Sequence, residues 1–131
     1  MKQLEEVAGQ RKSFEAMLEE KFPVLCKNIY IGIGKGWHGL LYALIQKIQN
    51  HLVELKLKED EWPRIDQIKE KFGGLRFYTS YSFSKIDEWV EAAEDFSVYI
   101  CEFCGQPGNY VKFGGWVKSS CQKCYKELNE G

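Results

Sequence analysis

The chain lacks a basic excess, a long apolar run and a histidine metal pair. Its 18 Lys and Arg residues are offset by 19 Asp and Glu residues, a formal net charge of -1. A general nucleic-acid binder carries a bulk positive excess, so any cationic surface here is expected to be local. No segment approaches the roughly 18 consecutive apolar residues that span a bilayer, so no membrane partner is expected. The two histidines, His38 and His51, lack the i, i+4 spacing of a helical metal pair. No Ser-His-Asp order and no phosphate loop is recognisable, and neither an internal repeat nor a low-complexity tract is found. The first twenty residues, MKQLEEVAGQRKSFEAMLEE, are too charged for a signal peptide. A cytoplasmic location is therefore expected, and in a reducing compartment clustered cysteines more often bind metal than pair as disulfides.

What is present is the composition of a folded chain. Hydrophobic residues make up 44% and aromatics 15% of 131 residues, which suits one α+β domain with a small appendix. Leu4, Val7, Phe14, Met17 and Leu18 recur at near-helical spacing and predict a helix over 2–20 that Pro23 helps to stop. It reads as a helix packed on its own domain. A dimerisation seam, and with it a homodimer, is the alternative, although Arg11 interrupts that seam. Residues 24–33, VLCKNIYIGI, read as a buried extended segment with Cys26 as a small core residue.

Glycines 32, 34 and 36 then punctuate the entry to the longest apolar stripe of the chain. Trp37, Leu40, Leu41, Leu44, Ile45, Ile48, Leu52 and Leu55 predict a core helix over 37–57. Helix N-termini bind anions, so GIGKGW offers two readings: a tight turn into the helix, or an anion site faced by Lys35 and Trp37. It is neither the dinucleotide fingerprint nor a Walker A loop. Farther on, Ser84 reads as the N-cap of a helix over 85–98 that buries Ile86, Trp89, Val90, Ala93 and Ser97. The body is thus expected to occupy residues 1–99, and a second lobe 100–131.

The second lobe carries the strongest pattern. Residues 101–124 read CEFCGQPGNYVKFGGWVKSSCQKC: two Cys-x2-Cys knuckles separated by sixteen residues. Two such knuckles converge on one tetrahedral ion, and the spacing is that of a zinc ribbon. Cys101, Cys104, Cys121 and Cys124 are the expected ligands of one structural zinc, since a set filled by four thiolates leaves no position for a catalytic water. NYVKF and WVK are expected to pair as short strands joined at Gly114-Gly115, closed by a short helix in CYKELNE.

The stretch QIKEKFGGLRFY predicts a hairpin over 65–81. With Gly73-Gly74 as a type I′ turn, Lys71 faces Arg76, Glu70 faces Phe77 and Lys69 faces Tyr78. One face then holds Ile68, Phe72, Leu75, Phe77 and Tyr81; the other holds Lys69, Lys71, Arg76, Tyr78 and Ser80. Opposed like charges are costly unless neutralised by an acid such as Asp87 or Glu88, a partner protein or a phosphate; the other reading is a simply solvated face. Glu70 on the apolar face needs a partner. A rival reading takes Pro63, Ile65, Ile68 and Phe72 as a short helix over 63–72.

The order of motifs — Gly36-Trp37, KEKFGGLRFY, AEDFS, CEFCGQPG, then a second Cys pair after GGW — resembles a family of small, largely uncharacterised proteins of bacteria, phages and prophages. The resemblance covers about residues 30–125. It implies a phage or mobile-element setting and brings no assigned activity. In that setting a non-enzymatic zinc-binding protein is expected to inhibit a host factor or defence component, by contacting a protein or by sequestering an anionic nucleotide signal. Lys35, Trp37, Lys69, Lys71, Arg76 and Tyr78 are the expected contacts. A nucleic-acid-binding zinc ribbon using Tyr110, Phe113, Trp116, Lys112 and Lys118 is the alternative. An enzyme is the third reading; Glu102 sits one residue off the zinc-deaminase pattern.

Overall fold

The computed structural model describes the backbone of residues 2–130 and the side chains of residues 12–129. Four helices and two small sheets give an α+β fold: α1 (Lys2–Lys21), β1 (Ile31–Gly32), α2 (His38–Glu54), β2 (Ile65–Lys71), β3 (Gly74–Thr79), α3 (Ser84–Ser97), β4 (Asn109–Phe113), β5 (Trp116–Ser120) and α4 (Gln122–Glu130). The side chains of Leu4 and Val7 lie outside the described residues, while Leu18 is buried and Phe14 and Met17 pack against the core. Phe14 also stacks on His38, with ring centroids 3.8 Å apart, and so ties α1 to α2.

The apolar stripe of α2 behaves as its periodicity requires. Leu41, Leu44, Ile45, Ile48 and Leu52 are buried, while Leu55, beyond the helix end, is exposed. Residues 24–33 depart from the expected extended segment. Cys26 N–H bonds to Phe22 O and Ile29 N–H to Cys26 O, so the chain continues as turns, and only Ile31 and Gly32 pair as strand. Asn28 takes a left-handed φ of 57° and donates its N–H to Glu19, a local bond that reverses the chain despite its apolar neighbours. Cys26 is fully buried, and burial, with the Glu19 charge beside it, pushes its thiol up to about 12. Iodoacetamide at pH 8 is expected to leave Cys26 unmodified in the native protein and to alkylate it in urea. Native labelling at position 26 would contradict this packing.

The larger sheet has the order β1-β2-β3, with β1 parallel and β3 antiparallel to β2. The hairpin stands and the rival helix does not. The three-residue spacing of Ile65 and Ile68 that resembles a helix is absorbed by a bulge: Ile65 faces Thr79, Gln67 faces Tyr78, and Asp66 is the extra residue. The turn itself is displaced by one residue from Gly73-Gly74. Phe72 (φ 54°) and Gly73 (φ 81°) occupy its two positive-φ positions, and Lys71 faces Gly74. Each residue's partner consequently moves by two, which preserves its face. Lys69 now faces Arg76, Glu70 faces Leu75, and Ile68 faces Phe77. Phe72 leaves the apolar face altogether and is 69% exposed, and Tyr81 is exposed as well.

The free edge of β3 is closed by side chains rather than by another strand. Leu75 N–H donates to Ser97 Oγ (2.9 Å) and Phe77 N–H to Glu94 Oε2 (2.9 Å), both on α3. This explains the buried serine on an otherwise apolar helix face, and it blocks edge-to-edge pairing there. Ser84 makes no capping bond: Phe83 is the N-cap, and Asp87 is instead engaged by Ser82.

Candidate metal centre and its seat

The four cysteines outside the core strand-and-helix body meet as their spacing requires. The sulfurs of Cys101, Cys104, Cys121 and Cys124 all lie within 4.8 Å of one another, with Cys104 and Cys121 at 3.7 Å. Two thiolates bound about 2.3 Å from one tetrahedral zinc stand about 3.8 Å apart, so the set fits such an ion. Gly105, at φ 83°, donates its N–H to Cys101 O and closes the first knuckle, and Cys124 N–H points at Cys121 Sγ (3.4 Å). Burial opposes ionisation of Cys101, but backbone N–H groups of Cys121, Phe103 and Cys104 outweigh it and bring the thiol down to about 7. Cys124 moves the other way, raised by burial and then by the neighbouring sulfurs. Four clustered thiols cannot all ionise without a cation among them, and the chemistry of the donor set therefore calls for one metal ion.

Around this point β4 and β5 pair from Asn109↔Ser120 to Phe113↔Trp116, leaving Gly114-Gly115 as the expected turn. Phe113 packs between Phe103 and Tyr125, the aromatic filling of a lobe with little core of its own. Phe113 is half-buried by these contacts.

The glycine-punctuated loop receives this lobe. Gly34 N–H donates to Glu102 Oε2 (3.1 Å), and Gly36 N–H donates to Glu102 O (2.8 Å). The donors that invited an anion reading are thus occupied by the acid between the first two metal ligands. A Cβ on Gly36 would stand 2.1 Å from Cys101 O, and one on Gly34 would stand 2.4 Å from Glu102 O. The glycines are there for backbone-to-backbone approach. Trp37 is fully buried, and its indole N–H donates to Ile100 O (2.9 Å), so it serves the core and the seat instead of facing a ligand. Lys35 is exposed beside it, on the helical turn that precedes α2.

A second seam joins the lobe to the hairpin turn. Gly73 packs under Tyr110 and the Lys118 backbone, and Ser119 Oγ donates to Gly73 O. Lys118 Nζ reaches Glu70 Oε1 at 2.7 Å and stands 3.8 Å from Glu102 Oε1, which takes no hydrogen bond. Glu70 Oε2 in turn accepts from Gly73 N–H (3.0 Å). The awkward acid of the hairpin is thereby satisfied, and Lys118 is drawn away from solvent. Burial pushes the Glu102 carboxyl up more than Lys118 and the Gly34 N–H bring it down. Glu94 escaped sequence reasoning, and so did the partners of Glu70, Ser97 and Glu102, because those partners are distant in the chain. An acid between two metal-ligand cysteines, facing a glycine pair before a Trp, was the one available signal.

Among the described residues, the ion pairs are those of Lys118 with Glu70 and Glu102. Lys69, Lys71 and Arg76 therefore have no acidic partner there, and neither Asp87 nor Glu88 neutralises them. Lys69 lies 5.7 Å from the centre of the Tyr78 ring, Lys71 lies 5.5 Å from that of Phe72, and Arg76 bonds the Leu75 carbonyl. No family model, curated protein or solved structure matches the chain.

Proposed function

We propose that the protein is a zinc-stabilised binding module that acts by contact on an anionic partner, through the outer face of its three-stranded sheet. The observation that carries this reading is the set of three cations, Lys69, Lys71 and Arg76, on one face, none of them in an ion pair among the described residues. Lys69 and Arg76 are directly opposed across β2 and β3, an arrangement that costs stability unless an anion relieves it. The ion in the lobe is structural, because its four ligands are all protein thiols. Its part is to hold the lobe against the Phe72-Gly73 turn. The motif resemblance supports a phage or prophage setting, in which such a face would engage a host factor, a defence component or an anionic nucleotide signal.

The triple variant Lys69→Ala, Lys71→Ala, Arg76→Ala tests the surface with heparin as a generic polyanion. Wild-type protein is expected to be retained on the resin, and the variant to elute at clearly lower salt with a melting temperature that is not lowered. Identical elution of the two proteins would overturn the assignment of this face.

A further inference from the structure

We propose that the anion held by this face is single-stranded nucleic acid, bound by stacking as well as by charge; this rests on the face assigned above. The register arranges the surface in rows. Tyr78 faces Gln67, and Tyr30 lies immediately before β1, whose Ile31 pairs with Ile68. The next row is Gly32, Lys69 and Arg76, and the next is Lys71 and Gly74. The row spacing along a strand is about 6.6 Å. Tyr30 is 64% exposed and its ring lies 3.7 Å from the Cβ position of Gly32, beside Lys69. Beyond the last row come Phe72 at the turn and Tyr110 against Gly73, both largely exposed. Aromatic, cationic, cationic, aromatic is the order in which a strand of unpaired bases and phosphates is held.

Phe72 is the most informative of these residues. It is a bulky side chain at positive φ, where glycine or asparagine is favoured, and its ring is 69% exposed. The contacts on Gly73 set the turn position, but the fold gains nothing visible from the exposure of the ring. An exposed aromatic at the tip of a cationic hairpin points to a ligand. Duplex bases are stacked on each other and cannot take these rings, whereas unpaired bases can. A lone nucleotide is held in a pocket that covers most of it. An open groove of about 620 Å³ is lined by α2 and by Trp89 of α3, away from these residues.

The test is fluorescence anisotropy with a labelled oligothymidylate of roughly ten nucleotides, the size range of single-strand sites, against a duplex of equal length. Single strand is expected to bind at least about tenfold tighter than duplex. Three phosphate contacts predict a log-log salt slope of about -2. Tyr78→Leu is expected to weaken binding about tenfold, and Tyr78→Phe to retain it. Phe72→Asn creates an Asn-Gly turn and is expected to raise the melting temperature while weakening binding, which a merely structural Phe72 would not do. Equal affinity for strand and duplex, no binding of either, or displacement by an acidic peptide or thymidine monophosphate at equal concentration would overturn the nucleic-acid inference. If heparin retention still depended on the three cations, the face itself would stand. If retention did not depend on them, both readings would fall.

Discussion

Gly36→Ala is expected to lower the melting temperature by roughly 10 °C, the counterpart of about 3 kcal/mol in a domain of this size. The new methyl group would stand 2.1 Å from Cys101 O and 2.6 Å from both the carbonyl carbon and oxygen of Glu102. All three atoms are backbone, so no rotamer change makes room. Either the loop before α2 or the first metal knuckle must withdraw, and with it goes the Gly36 N–H bond to Glu102 O. Gly39→Ala is the control in the same helix entry. A Cβ there meets nothing within 4 Å, and alanine in a helix interior gains up to about 1 kcal/mol over glycine. Scanning calorimetry of the two variants separates a requirement for close approach from a general sensitivity of the segment. Equal melting temperatures would remove the glycine loop from the lobe seat.

Metal removal is expected to have a larger effect still, and a selective one. Structural zinc contributes about 10–16 kcal/mol of apparent binding free energy in small peptides, comparable with or above the net stability of a whole domain. Among the described residues the ring contacts within the lobe are those of Phe103, Phe113 and Tyr125, so chelation should unfold residues 101–130. The body keeps its own core, with Trp37, Leu41, Ile45, Ile48, Ile68 and Leu75 all fully or almost fully buried. Circular dichroism after chelation should therefore retain the helical signal of α1–α3 while the four lobe thiols become reactive. Loss of the whole helical signal would show that the body cannot stand alone. Unchanged spectra, with thiols still protected, would mean that no ion holds the lobe.

The parts of this architecture that follow from covalent spacing were legible before any coordinates. Two Cys-x2-Cys knuckles constrain their sulfurs locally, and the ribbon between them needed only a Gly-Gly turn. The stripe of α2 was legible because burial there follows the helical period. The faces of β2 and β3 survived an error in the turn, since a two-residue shift of partners returns every side chain to the same side. The turn itself was misplaced for a tertiary reason. Gly-Gly is the better local choice, but Tyr110 and Ser119 from the lobe close on Gly73, and Glu70 accepts its N–H. Those contacts place glycine at the second turn position and leave Phe72 at the strained first one. The glycine loop kept an anion site as its second reading, beside a tight turn into the helix, because its partner, Glu102, lies 68 residues beyond Gly34. The bulge at Asp66 imitated a helical spacing, and only the pairing of β2 with β3 distinguishes the two.

The first cysteine knuckle is seated on the glycine loop, and the lobe closes on the hairpin turn; the proposed function has a metal ion hold that arrangement. Amide hydrogen exchange at Gly34, Gly36 and Gly73, followed by NMR with and without chelator, tests it most directly. These amides are bonded to Glu102 and Glu70 and should be protected in metal-loaded protein. After chelation Gly34 and Gly36 should exchange at least about a hundredfold faster, and Gly73 should follow as Lys118 and Ser119 leave, while Leu75 and Phe77, bonded to α3, stay protected. Unchanged protection at Gly34 and Gly36 after the metal is gone would contradict the account.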